Sequence, residues 1–293
     1  MALEVQIGIA LALLGAIGTN LGALCKHRGA KHAPLIDIRR PFESLRHLLA
    51  SRWFVIGALV AVCAGLLHFA AIAMAPMSVV QAVLAGGIVL LAVIAERFFG
   101  YPVGTRQWWA VAFSAAGLAL LGLTIPSLHG PHSQFTASTM VAFEGGLTLI
   151  SAGFVLSLRR GVLADHRGVL FGATAGTLFG VSDIAIKALT GTASAGPEAL
   201  LADPWLVVAI ATGICAQYSA VRALQEGEAV PVIAITGLAA NVSNIAGGIL
   251  VFGDPLASSA LGITLQGLAF CFICAAAFLA PGSGVRAAQG ASA

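Results

Sequence analysis

Charge is what this chain has least of. Asp, Glu, Lys and Arg make up 9% of its 293 residues, against about a quarter in soluble domains, so a surface solvated by water is excluded. Cysteine is sparse too. Cys25, Cys63, Cys215, Cys271 and Cys274 all sit in or beside apolar runs, which argues against a disulfide framework and reads as packing, the Cys271-x-x-Cys274 pair included. No His-Glu-x-x-His, Gly-x-Ser-x-Gly or nucleotide-binding Gly-x-x-x-x-Gly-Lys-Ser/Thr pattern occurs, and no two buried carboxylates stand at catalytic spacing. An enzyme and a nucleotide-driven pump are therefore not expected, and no cofactor is implied. The apolar runs do not alternate over ten residues, which excludes a transmembrane β-barrel.

What fills the chain instead is long hydrophobic sequence, 59% of all residues. At about 20 residues per crossing of the hydrocarbon core, this accommodates nine spans and short loops, with no room for an aqueous domain. Polar punctuation places the spans near 3–25, 53–75, 78–97, 108–127, 139–158, 168–190, 204–223, 229–252 and 258–280. The expectation is a single all-α polytopic membrane domain over 1–293. A first repeat covers 3–127, a linking helix 139–158, a second repeat 168–280, and a Gly/Ala/Ser-rich tail 281–293 is expected to be disordered. The first run lacks a basic leading region and reads as a retained span rather than a cleaved signal.

Basic residues mark alternate loops. Lys26, Arg28, Lys31, Arg39, Arg40, Arg46 and Arg52 share the 26–52 segment, Arg97 and Arg106 flank the next, and Arg159, Arg160 and Arg167 another. The positive-inside rule then puts the N-terminus outside and the C-terminus in the cytoplasm; in a bacterium the membrane would be the plasma membrane. The 26–52 segment reads as a topology signal more than as a binding site for lipid headgroups. Phe42 is its one Phe, Tyr or Trp between Arg28 and Arg52, too few to interleave the charges, so nucleic acid is not an expected partner.

Small-residue patterns recur across the two halves. Gly18-Thr19-Asn20-Leu21-Gly22 leading to Lys26 is answered by Gly172, Gly176 and Gly180 leading to Asp183 and Lys187. Gly117 and Gly122 match Gly262 and Gly267, and Leu84-Ala85-Gly86-Gly87-Ile88 matches Ile245-Ala246-Gly247-Gly248-Ile249. Glycines four apart let helix backbones approach closely. Two four-helix halves joined by one connecting span enter the membrane from opposite sides, the inverted repeat typical of secondary transporters.

Ionisable groups inside spans are costly and point to function. Asp183 and Lys187, at i, i+4, share a helix face. They either neutralise each other or leave Asp183 as the buried site while Lys187 snorkels outward. Asn241 and Asn244, with Ser243 and Thr236, bring neutral donors and acceptors to the middle of the eighth span, suited to a polar solute, to a partly dehydrated ion or to interhelical hydrogen bonds. His68, Gln217, Asn20 and Asp183 are displaced from their span centres in mirror fashion, so all four are candidates for one cavity wall. Glu144 lies a turn and a half inside the fifth span, where gating, cation binding and contact with outer-leaflet water are all open to it. Gln81, Thr19 and Gln266 are further lining candidates. Glu96 and Arg97 read as an interfacial cap, and the His129-Gly130-Pro131-His132 stretch lacks the Cys or carboxylate of a metal site.

Several of these segments resemble a known family. Gly18 to Lys26 with His27-Arg28-Gly29, then Ala73-Met74-Ala75-Pro76-Met77-Ser78-Val79-Val80, and Glu96 closing the third span, are similar to the first half of NIPA-type magnesium transporters. These belong to the drug/metabolite transporter superfamily, which also holds the EamA-like permeases. Ala223-Leu224-Gln225-Glu226-Gly227-Glu228-Ala229-Val230-Pro231-Val232 and Val251-Phe252-Gly253-Asp254-Pro255-Leu256 resemble second-half segments, with Asp254 where Glu is commoner. The resemblance implies inverted halves around a central site and transport of a small solute or divalent cation, Mg²⁺ as in the NIPA-like form, with Asp183 and Glu144 as candidate metal ligands, since Mg²⁺ takes one or two carboxylates and keeps waters. An EamA-type metabolite exporter and a channel-like or non-transporting subunit are the alternatives. Expected partners are the lipid bilayer and the transported solute or cation, with a homodimer left open.

Overall fold

A computed structural model describes residues 3–279 apart from 38, 76, 102, 125–134, 161–165, 193–195, 254–256 and 258. His129, His132, Pro76, Asp254 and the 281–293 tail lie outside the described residues, as does the side chain of Gln81. The described chain is all helix. In order it forms α1 (Leu3–Ala30), α2 (Pro41–Leu49), α3 (Arg52–Met74), α4 (Met77–Phe99), α5 (Thr105–Thr124), α6 (Ala137–Arg159), α7 (Arg167–Thr192), α8 (Pro197–Ala202), α9 (Pro204–Glu226), α10 (Ala229–Leu250) and α11 (Ala260–Leu279). Six of these, α1, α3, α6, α7, α9 and α10, are long and apolar enough to cross a membrane; α4, α5 and α11 occupy the places expected for the third, fourth and ninth spans. Leu59, Val62 and Leu66 of α3, Val141 and Leu149 of α6 and Val207, Ile210 and Ile214 of α9 point out of the bundle, the arrangement a lipid-facing belt requires and water would penalise.

The helices pack through their small residues. Along α1, Gly8 faces Ala75, Gly15 faces Ala64, and Gly22 faces Gly57, so α1 and α3 run antiparallel. A Cβ on Gly57 would stand 2.6 Å from the Gly22 carbonyl oxygen, which only hydrogen at that position tolerates. On α7, Gly172 meets Ile235 and Thr236, Gly176 meets Thr236 and Ala240, and Gly180 meets Ser243, so α7 and α10 run parallel at backbone contact. The pairing of α1 with α4 is parallel as well: Ala12 clusters with Val80, Leu24 with Leu91 and Ala95. On the other face of α7, Ser182 donates to the Ala209 carbonyl at 2.9 Å, and Gly168 abuts Gly227, which makes α9 its antiparallel neighbour.

One end of the bundle gathers the basic segments. Gln225 Nε2 donates to the carbonyls of Pro34 at 3.0 Å and Ala30 at 3.4 Å, while its Oε1 accepts from Ile36 N at 3.1 Å. Arg222 donates to the Ile36 carbonyl at 3.3 Å. Glu226 lies between Arg222 and Arg167, the latter at 2.6 Å, and both guanidiniums flank the Phe171 ring. The segment after α1 is thus fastened to the end of α9. Gln225→Ala removes three of these bonds at roughly 1 kcal/mol each, so trypsin should cleave at Lys31 several-fold faster in detergent-solubilised protein.

Three sequence expectations need correction. α1 does not stop at residue 25 but runs to Ala30, so Lys26 belongs to the helix and not to the basic loop. The 26–52 segment contains α2, whose Pro at the first turn, Glu43 near its start and Arg46 and His47 near its end suit a helix dipole. The cysteines do not all pack inside: Cys25 is buried, but Cys63, Cys215 and Cys271 are free thiols on the exposed face of the bundle.

Candidate functional site

A cavity of about 370 Å³ lies among α1, α3, α7, α9 and α10. Its walls carry Asn20, His68, Asp183, Gln217, Asn241 and Asn244 together, from both halves of the sequence. The glycine packing creates it. With α7 at backbone contact with α10, and α1 with α3, the side chains on the remaining face of each helix converge on one space. Asn20 belongs to the α1 stripe Ala16, Thr19, Asn20, Ala23 and Lys26, all of which line the cavity at helical spacing.

Asp183 is the polar centre. Its Oδ2 accepts from Asn244 Nδ2 at 2.8 Å and stands 3.6 Å from His68 Nε2. That separation allows an ion pair whenever the imidazole carries a second proton. The Asp183 and His68 side chains are 17% and 13% exposed, which leaves them open to the cavity. Asn244 Oδ1 and His68 Nδ1 are buried without a hydrogen-bond partner among the described residues. A carboxylate, an amide and an imidazole with unused capacity form a set that accepts a cation or a donor-rich solute. Asn241 is buried, and Thr236 and Gly237 extend the α10 wall. Gln217 sits at the rim with its side chain exposed.

Other predicted residues go elsewhere. Lys187 is buried on the same helix as Asp183, but its ammonium reaches across to α3 and donates to the Ile72 carbonyl at 2.9 Å, clamping the end of the bundle opposite the basic one. It neither lines the cavity nor snorkels. Glu144 is buried on α6 with Oε1 unbonded among the described residues and is not part of the cavity wall. The structure therefore does not bring it to Asp183 as a joint ligand, and no cluster of three His, Cys, Asp or Glu that would suit a metal ion is found among the described residues. Gln266 is buried on α11, where Oε1 accepts from Ala257 N at 3.3 Å. Thr19 lines the cavity, and Glu96 is exposed at the end of α4.

Two residues were missed. Lys26 lines the cavity; its charge made it look like a loop marker. His27, also taken for part of the basic loop, is almost fully buried at the end of the bundle. Gly100, with φ +66, takes the left-handed conformation that ends α4, and Tyr101 N reaches back to the Ala95 carbonyl at 3.0 Å. This carries the Tyr101 hydroxyl to 3.2 Å from His27 Nδ1, while His27 Nε2 lies 3.3 Å from the Gly227 carbonyl. A carbonyl only accepts, so Nε2 carries the proton and Nδ1 accepts from Tyr101. Burial pushes the Tyr101 phenol up, which keeps that donor protonated. His27 thereby joins α1, the α4–α5 turn and the α9–α10 turn below the cavity.

Comparison with known proteins adds one relative. The chain is 21% identical over 278 residues to a probable magnesium transporter NIPA9 of Arabidopsis thaliana, a match covering 90% of this chain and 79% of that protein. No family model matches the chain, and no solved structure does. With its apolar helices and that similarity, the chain is an integral membrane protein related at a distance to a NIPA transporter.

Proposed function

We propose that this protein is a secondary transporter of the drug/metabolite transporter type that moves a small cation or donor-rich solute, Mg²⁺ being the first to test, by alternating access. The observation that carries the reading is the shared cavity, where Asp183, Asn244, His68, Asn241 and Asn20 converge from both halves. A carboxylate facing such a space within the bilayer is expensive unless it has a cargo or a partner. The plant relative's name supports transport and supplies the ion.

The architecture in this reading is nine spans in two inverted halves, α1, α3, α4, α5 and α7, α9, α10, α11, joined by α6. Each half opens with a glycine-packed antiparallel pair, α1 with α3 and α7 with α9, and each sets its first helix parallel to its third, α1 to α4 and α7 to α10. Inversion is supported by the ends: the start of α1 meets Ala75, close in α3 to the Ile72 carbonyl that Lys187 of α7 holds, whereas its end meets Gly227 beside the start of α7. The gathering of the basic segments at one end supports an external N-terminus.

In Mg²⁺-loaded liposomes, a carrier of this kind should give saturable uptake that is accelerated by Mg²⁺ on the other side. Asn244→Ala, which removes the donor that orients Asp183, should raise the half-saturating concentration about tenfold, the effect of one hydrogen bond to a charged group. A non-saturating conductance without counterflow would rule the carrier out.

A further inference from the structure

Resting on the carrier reading, we infer that the cavity holds an anion subsite at Lys26, so that its preferred cargo is a short zwitterion of the amino-acid type, with the ammonium on Asp183 and the carboxylate on Lys26. The first observation is that Lys26 lines the same cavity as Asp183. No hydrogen bond, ion pair or charge partner is found for its ammonium among the described residues. Lysines elsewhere in the bundle are treated differently: Lys187 at the other end is held by a backbone carbonyl. A positive charge inside the bilayer without a counter-charge is costly, and a bare divalent cation in the same cavity would add to the repulsion.

The second observation is distance. His68 packs beside Gly15 and Gly57 beside Lys26, so Asp183 and Lys26 are at different heights along α1. Lys26 lies eleven residues beyond Gly15, about 16 Å at the helical rise; its side chain leans back toward the N-terminus of α1, that is toward Asp183, and takes up about 6 Å of that span. Two charge-assisted contacts of about 2.8 Å each then leave a few ångströms between the bound groups, the separation of amine and carboxylate in a short amino acid.

The third is volume. At about 30 Å³ per water, the 370 Å³ cavity holds about twelve waters, roughly twice the octahedral shell of Mg²⁺. It falls at the lower end of the range for small organic ligands. The apolar stretch between the charges, Ala23, Phe179, Leu224 and Ile233, suits a carbon skeleton better than a hydrated ion.

The test compares wild type, Lys26→Gln, Lys26→Arg and Asp183→Asn by thermal shift in detergent and by counterflow in liposomes. The probes are MgCl₂, L-serine, L-threonine and glycine betaine, with ethanolamine and propionate as the two half-molecules. At least one zwitterion should bind tighter than either half, and Lys26→Gln should weaken it about tenfold or more while sparing ethanolamine and MgCl₂; Lys26→Arg should stay within about threefold of wild type. Zwitterions that bind no tighter than ethanolamine, or that ignore Lys26→Gln, overturn the subsite. If Lys26→Gln does not fold, competition between propionate and the bound zwitterion on wild type reads the same contact, and its absence overturns the subsite as well. Asp183-dependent Mg²⁺ counterflow with no counterflow of any zwitterion by the wild type would remove the subsite alone; no counterflow of any probe in any protein would remove the carrier reading too.

Discussion

Asp183→Asn should abolish counterflow while leaving the protein folded. The replacement keeps the shape, and the new amide oxygen still accepts from Asn244 Nδ2, which now donates at 2.8 Å. What disappears is the negative charge. In the carrier reading a cationic cargo loses the only carboxylate in the cavity wall among the described residues, and His68 at 3.6 Å loses a charged neighbour. Charge-assisted hydrogen bonds contribute about 1.5–3 kcal/mol each. Two of them amount to a loss of roughly a hundredfold or more in substrate affinity. Asp183→Glu, which restores the charge at a displaced position, should fall between the two. A thermal midpoint in detergent within a few degrees of wild type would show that the loss is one of binding; full counterflow by Asp183→Asn would sink the assignment of the site.

The second large effect is mechanical. Gly176→Val should leave little folded protein. Even a single Cβ at this position would overlap the Thr236 carbonyl oxygen and approach Ala239 Cβ at 2.7 Å. Neither is the far end of a flexible side chain, so α7 and α10 have to separate. Overpacking of this kind costs about 3 kcal/mol or more, equal to a fall of about 10 °C in the midpoint for a chain of this size. Separation would also move Asn244 from Asp183, so the surviving protein should have lost substrate-induced stabilisation. Gly153→Ala is the contrast. A Cβ there meets nothing within 4 Å, and the gain in helix propensity should leave the midpoint unchanged or raise it slightly.

Much of this arrangement was legible in the residues. Apolar runs of about 20 residues bounded by polar ones place helices well because a crossing segment has to satisfy its own backbone, and the observed helices begin and end within a few residues of the expected spans except at α1. There the error has a physical cause. Lys26 was counted as a loop residue because charge is expelled from lipid, yet it faces protein and an internal cavity, and charge is tolerated on that face. The same reasoning hid His27, whose partners Tyr101 and Gly227 are far away in sequence. The gathering of Asn20, His68, Asp183, Asn241 and Asn244 on one cavity followed from polar residues near span centres, which have few other places to go. The bond from Lys187 to α3 did not follow. Spacing of i, i+4 shows that two side chains share a face, but it carries no sign of the Ile72 carbonyl of another helix, to which the ammonium donates at 2.9 Å.

The fastening at the basic end also bears on how the protein spends its time. Gln225, Arg222 and His27 tie α1 and the segment after it to the α9–α10 corner by several hydrogen bonds, and at the other end Lys187 bonds the Ile72 carbonyl. If opening the basic end breaks bonds worth about 4 kcal/mol in total, the open form is a minority of roughly one molecule in a thousand at rest. Thermal fluctuation then seldom exposes the cavity to that side. Under the proposed carrier mechanism, a cargo that binds the rarer form more tightly has to supply the difference, so the resting leak stays low and net flux is set by how strongly the cargo biases that equilibrium.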